Sequence, residues 1–364
     1  MAMEHLQRSQ KQALGAAVVL TVTAGVLQVV GTPEVARFAV SAMALAALAT
    51  VVGQAIEQVG EHLGPGPTGL LQSSLGNLPE LLVGLFALRQ GLTAVVRAAL
   101  VGSVLGNVLL VLGLAFVSGG IRHGPQRFRP EAPRMLITLL TLAVAAMLVP
   151  TLAVRLDTPA VHHAAALSDI AAVVLLAVYL ASIPFWLSGG PDRPRDRRRS
   201  TLKQPPQPST AAWPVGLGVG VLAGAAVASA LVSDWFVAAL TPATKSLGIS
   251  PVFTGLVIVA IASNAVENVA GIRFAWKARP DYAISTILNS PLQVALFLTP
   301  VLVLLSPVLG PAHLTLVLPS LLLAAIAVAV VVVAVVIYDG EYSWLEGVAL
   351  IALYVLTAAA FWWG

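Results

Sequence analysis

Eleven apolar stretches, each about as long as a bilayer crossing, follow one another along this chain of 364 residues. A helix needs about 20 apolar residues to cross the hydrocarbon core. By that ruler the stretches lie near 12–30, 35–58, 67–89, 92–118, 134–153, 164–187, 213–233, 250–276, 281–306, 313–337 and 343–363. Charged residues are 10% of the chain and hydrophobic ones 58%. A soluble domain carries about 25% charged residues, so this chain could not coat a globule with polar side chains. The expected fold is an all-α polytopic membrane protein. No ten-residue alternating pattern recurs, which argues against a membrane β-barrel. The run from Ala13 to Val30 follows a short basic flank, Arg8 and Lys11, and no small-residue cleavage site follows it. It reads as a first span, not a removed leader.

The polar residues partition the rest. Residues 188–211, rich in Pro, Arg and Ser, hold no span and read as a solvated linker. The expected organisation is an N-terminal helix at 1–31, a first half at 32–187, the basic linker at 188–211 and a second half at 212–364. Basic residues gather after the fourth span (Arg122, Arg127, Arg129, Arg134), after the sixth (Arg193 to Lys203) and after the eighth (Lys277, Arg279). With eleven spans these loops share one side with the N-terminus, and the positive-inside rule makes that side the cytoplasm. The absence of cysteine removes disulfide frameworks, zinc–thiolate sites and cysteine nucleophiles. No paired Asp motif, Ser/His dyad or His-Glu-x-x-His motif points to an intramembrane enzyme. The lipid bilayer is the expected surrounding, and nothing points to nucleic acid.

Two features recur at one offset. Gly76-Asn77-Leu78-Pro79-Glu80 aligns with Ser263-Asn264-Ala265-Val266-Glu267 at an offset of 187, and the same offset aligns Gly102-Ser103-Val104-Leu105 with Asn289-Ser290-Pro291-Leu292. The repeats fall on the third and fourth spans and on the eighth and ninth, which run in opposite senses. Inverted repeats of this kind mark secondary transporters, whose sites lie near the midplane at the repeat interface. Channels usually build a filter from symmetric subunits.

The site expected from these repeats is a set of hard oxygens. Glu80 and Glu267 lie well inside apolar segments, where an ionisable group costs several kcal/mol and normally marks a pathway or proton site. Ser73, Asn77 and Glu80 share a helix face by their spacing, as do Asn264 and Glu267. Gly76, Pro79 and Ser263 can loosen the helix and free backbone carbonyls. Ser103, Ser290 and Gln293 add oxygens from the partner spans, with Asn107 and Asn289 as weaker candidates. Carboxylates with neutral oxygens suit calcium, and two formal negatives favour it over sodium or potassium. Soft metals are not expected, because the segments hold no Cys, His or Met at ligand spacing. A carboxyl in low dielectric favours its neutral form without a cation. Two such glutamates could carry either two protons or one divalent ion, which would couple the ions by competition. Glu57 and Glu61 end the second span and Asp234 ends the seventh. They are either interfacial charges or access-path carboxylates, Glu57 and Asp234 being the matched pair. Asp169 reads as interfacial, and His62, His162 and His163 as loop residues.

Residues 62–116, 248–305 and 339–363 resemble the calcium/cation antiporter superfamily, and within it the proton-coupled calcium/proton exchangers. The resemblance implies eleven helices, one extra plus two inverted sets of five, and exchange of cytosolic calcium for protons by alternating access, with no resident cofactor. It implies that Glu80 and Glu267 bind the ions, flanked by Asn77 and Asn264, with Ser103, Ser290 and Gln293 on partner helices. Four features depart from the common pattern: Asn268 stands where many members have His, Pro79 replaces Thr, Ser263 replaces Gly, and the linker is basic. The Leu-Pro-Glu and Val-Glu-Asn forms look most like the ChaA-type bacterial antiporters, linked to sodium and potassium as well as calcium. A bacterial inner membrane is the expected location.

Overall fold

The computed structural model describes residues 8–63, 71–72, 75–187 and 213–363, apart from the side chains of 185–187 and 265–267. Ser73 and the linker 188–211 lie outside the described residues. The elements are helices α1 (Arg8–Val30), α2 (Glu34–Leu63), α3 (Leu78–Arg89), α4 (Thr93–His123), α5 (Glu131–Arg155), α6 (Ala164–Leu187), α7 (Val215–Leu247), α8 (Pro251–Ser263), α9 (Ala265–Trp276), α10 (Pro280–Leu309), α11 (Ser320–Tyr338) and α12 (Trp344–Ala360). Among the described residues eight helices are long and apolar enough to cross a membrane, and the bent pair α8–α9 makes a ninth. The shorter α3 and α12 occupy the remaining two expected positions.

Helix ends follow local chemistry. Gly31 (φ 72°), Gly91 (φ 73°) and Gly124 (φ 74°) take positive φ just beyond α1, α3 and α4, where a side chain would be strained. Ser343 caps α12 and exchanges hydrogen bonds with Glu346 in a capping box.

The chain divides into two compact units. The first holds residues 1–83 and 180–240. In it α1 packs on α2, and Phe38 of α2 stacks on Phe236 of α7 with centroids 4.8 Å apart. The chain enters α7 through Trp213, which is 2% exposed. Its amide donates to Gln58 Oε1 at 3.1 Å and its indole to Gln10 Oε1 at 3.1 Å. Much of α1 is bare, with Val18, Val19, Val22, Val26 and Val29 more than half exposed. That is the surface lipid would cover.

The second unit holds residues 84–179 and 241–364. Its centre is α4, packed against α8, α9, α10 and α12. Glycine sets these distances. A Cβ at Gly102 would lie 2.1 Å from Leu256 O, and one at Gly347 would lie 2.6 Å from Gly113 O. A two-residue antiparallel pair, β1 (Gln126–Arg127) with β2 (Glu341–Tyr342), ties the segment after α4 to the segment before α12. Tyr342 anchors this strand pair inward by stacking on Phe116 at 4.0 Å, and burial pushes its phenol up to about 12.

One span begins later than the sequence suggests. Helix was expected from 313, but residues 313–319 are not helical and α11 starts at Ser320. Pro311 and Pro319 flank this segment. Leu314, Leu316 and Leu318 are buried on alternate positions, the period of an extended chain. Hydroxyls from neighbouring helices satisfy its backbone. Thr151 Oγ1 donates to Leu316 O at 2.8 Å and accepts from Leu318 N at 3.0 Å. Ser168 Oγ accepts from Leu316 N at 2.9 Å and Ser306 Oγ from Leu314 N at 2.8 Å. Arg97 donates to Val317 O at 2.8 Å, and His313 Nε2 lies 2.9 Å from Asp169 Oδ1. Asp169 therefore has a definite partner.

Two outcomes test this packing by thermal unfolding in detergent. Gly102→Ala is expected to destabilise at or above the top of the about 1–3 kcal/mol range for overpacking, because it meets backbone. Thr151→Val keeps the shape but strands Leu316 O and Leu318 N, and is expected to cost about 1–3 kcal/mol for each group left unpaired.

Candidate functional site

The repeated motifs sit where helices break. In the second repeat the chain bends by 63° between α8 and α9. Asn264 occupies the break at φ −105°, ψ 16°, between the helical and extended regions. In the first repeat a turn at Gly76–Asn77 precedes α3. Gly76 N still bonds Gln72 O at 2.9 Å and Leu81 N bonds Asn77 O at 2.9 Å. Pro79 sits in the first turn of α3, where a missing N–H costs nothing. Each repeat departs from regular helix at its asparagine, next to Gly76 in the first and Ser263 in the second.

The partner helices carry matched irregularities. A π-helical turn spans Gly106–Val111 in α4 and another spans Val294–Leu298 in α10. At the repeat offset these coincide to within one residue. A third spans Thr254–Val259 in α8. Such turns occur mostly as single insertions, frequently at functional sites.

In the second unit the polar side chains form one network. Asn264 Nδ2 donates to Ser103 Oγ at 2.9 Å, to Ala260 O at 3.0 Å and to Ser263 Oγ at 3.4 Å. Its Oδ1 accepts from Ser290 Oγ at 3.4 Å. Ser290 Oγ also accepts from Asn107 Nδ2 at 3.5 Å, and the same nitrogen donates to Ser103 O at 2.9 Å. Ser263 Oγ donates to Val259 O at 2.9 Å. All five residues are buried. The network joins α4, the α8–α9 break and α10, so one element from the first repeat meets two from the second.

Asn264 plays a double part. The sequence suggests an oxygen ligand, and the structure makes it a cross-link whose amide nitrogen closes the broken helix. Its carbonyl oxygen keeps a second lone pair. Asn107, ranked low from sequence, is central. Its signal was its place one turn after Ser103, which puts both on one face. Gln293 is also buried, whereas Asn289 is half-buried and outside this network among the described residues. No pattern in the sequence points to the buried Thr244–Thr254 hydroxyl contact at 3.2 Å.

The carboxylates divide between the units. Glu80, on α3 in the first unit, is 4% exposed, and Asn77 is 5% exposed. Glu267 lies in the first turn of α9, and its side chain lies outside the described residues. Glu57 on α2 and Asp234 on α7 are exposed. Within the second unit, the buried hydroxyl and amide oxygens beside the Asn264 break are hard donors. The side chains described in the network carry no formal charge.

Helices broken at buried polar residues, repeated within one chain, define a polytopic all-α membrane transporter. The chain belongs to the sodium/calcium exchanger protein family, whose model matches residues 34–187 and 217–363. It is 34% identical over 343 residues to a Ca(2+)/H(+) antiporter of Synechocystis, covering 91% of this chain and 92% of that protein. It is 34% identical over 351 residues to the Ca(2+)/H(+) antiporter ChaA of Bacillus subtilis, covering 94% and 97%. A solved structure of native YfkE superposes with a TM-score of 0.79 at 30% identity, covering 96% of this chain and 99% of that one.

The network makes a sharp forecast for Asn264→Asp. The two side chains have the same shape, but the carboxylate cannot donate to Ala260 O. The substitution is expected to cost about 1–3 kcal/mol, as for a buried acceptor left unpaired. Ser290→Ala, which removes only long hydrogen bonds, should cost about 0.5–1.5 kcal/mol. Equal melting temperatures for Asn264→Asp and wild type would contradict the cross-linking role.

Proposed function

We propose that this chain is a secondary active antiporter that exchanges cytosolic Ca2+ for H+ by alternating access. The observation that carries the reading is the repeated break at Asn77 and Asn264, each followed three residues later by a glutamate, in a chain 34% identical to proteins named Ca(2+)/H(+) antiporters. Glu80 and Glu267 carry the exchanged ions, as one divalent cation or as protons. Asn77, Asn264, Ser103, Ser290 and Gln293 supply neutral oxygens, with Ser73 a further candidate. Gly76 and Ser263 let the backbone depart from the helix. Glu57 and Asp234, exposed on α2 and α7, feed ions from either side.

The chemistry supports competition as the coupling. A divalent ion needs its charge balanced where no water screens it, and two carboxylates do that. With the ion gone, two like charges in low dielectric are unfavourable and protons replace it. Calcium leaving therefore favours proton uptake, and protonation favours calcium release, without a separate proton site. The basic loops support an N-terminus and linker in the cytoplasm. The bacterial relatives support an inner-membrane location. The halves 32–187 and 212–364, joined by the linker, are the functional repeats.

The test is cation-dependent proton flux in everted vesicles carrying a pH dye. After energisation, calcium should dissipate the proton gradient in wild type and fail to do so in Glu80→Gln and Glu267→Gln, with at least about a hundredfold loss, or about 2.7 kcal/mol. A response to sodium or potassium and not to calcium would change the substrate and leave the mechanism. Full calcium-driven exchange by Glu80→Gln would overturn the paired-glutamate site.

A further inference from the structure

Beside the Asn264 cross-link lies a space of about 10 Å³ between α4 and the α8–α9 break. Ser103, Gly106, Asn107, Asn264 and Asn268 are among the residues that line it. Two carboxamide oxygens there, Asn107 Oδ1 and Asn268 Oδ1, are buried and accept no hydrogen bond among the described residues. Asn107 is 2% exposed. Its orientation is fixed, because Nδ2 is committed to Ser103 O at 2.9 Å and to Ser290 Oγ at 3.5 Å. Ser103 Oγ receives the amide of Asn264 at 2.9 Å, and its own proton meets no acceptor among the described residues. The space therefore presents two acceptors and one donor.

These demands fit one water molecule. A water needs roughly 10–15 Å³ and two to four polar partners. It can donate one proton to each carboxamide and accept from the serine. Leaving buried acceptors unmade is worse than the ordering of one water. A monovalent cation could use the same oxygens. The side chains named here carry no formal charge, however, and burying a bare cation costs far more than burying a water. We propose that a single structural water fills this space, bonded to Asn107 Oδ1, Asn268 Oδ1 and Ser103 Oγ, and bridges α4 to α9. Asn268 directly follows Glu267, so the water fixes the first turn of the broken helix to the first-repeat helix. Ser103 Oγ accepts from Asn264 and donates to the water, and its remaining lone pair is left for the exchanged ion, so the bridge does not depend on which ions are exchanged.

Gly106 offers a test whose sign decides. It lines the same space. Its backbone is right-handed at φ −57°, ψ −47°, and a methyl there would meet nothing within 4 Å. Alanine is therefore sterically free at this position. In a dry space the methyl would fill a void and reduce unfolded-state freedom, and Tm would rise. With water present the methyl displaces it and strands two acceptors. Gly106→Ala in detergent is expected to melt about 2–4 °C below wild type. An equal or higher Tm would overturn the proposal. The second measurement is a wild-type structure fine enough to show ordered solvent, with crystals soaked in thallium. One solvent peak about 2.6–3.2 Å from both carboxamide oxygens is expected. An empty space, or an anomalous thallium peak in it, would each overturn the water.

Discussion

A backbone that leaves the helix inside hydrocarbon must find a protein partner for each N–H and C=O it releases, because no lipid can supply one. The structure obeys this rule at two breaks by different means. At Asn264 the side chain does the work, folding back on Ala260 O and reaching across to Ser103. At residues 313–319 the chain is extended, and hydroxyls from α5, α6 and α10 meet its amides and carbonyls. Serine and threonine suit this task. They are small enough to lie between close-packed helices and can donate and accept at one atom.

The same rule makes a break a natural ion site. A carbonyl or carboxamide freed from the helix ladder is an oxygen in search of positive charge, a proton or a metal ion. A hard divalent cation is the most demanding of these, requiring several oxygens and balancing charge. Asparagine at the break and glutamate three residues later place both kinds of group within one turn. The sequence carries that turn twice, at Asn77–Glu80 and at Asn264–Glu267. The paired π-helical turns in α4 and α10 belong to the same logic. Each inserts one residue into a helix that carries a site serine, and so turns the helix beyond it relative to the part before it.

Much of this is legible in the sequence, and the reasons differ by level. The spans are readable because about 20 apolar residues have few other uses. The candidate site motifs stand out because carboxylates are rare inside such runs, and a shared offset of 187 sets Glu80 and Glu267 apart from the other acids. The start of α11 is not readable, because 313–337 is apolar throughout and hydropathy cannot tell helix from extended chain. What keeps 313–319 extended lies elsewhere, in Thr151, Ser168 and Ser306. The rank of Asn107 was likewise hidden. Its spacing from Ser103 was visible, but its bond to Ser290 spans 183 residues. The π-helical turns leave no periodic trace, since one extra residue only shifts the phase of an already continuous apolar face.

Asn268 shows what a single departure from the family's pattern can change. A histidine directly after the glutamate would add a group that titrates near neutral pH. Asparagine keeps the hydrogen-bonding reach and loses the titration. Its buried oxygen faces the same small space as Asn107, so the amide is available to a bridge whose strength does not vary with pH. On the proposed reading the glutamates accept the exchanged protons, and position 268 adds no imidazole beside them. On that reading the groups proposed to move protons are distinct from those that hold the broken helix in place. The pH dependence of exchange should then follow the carboxylates alone.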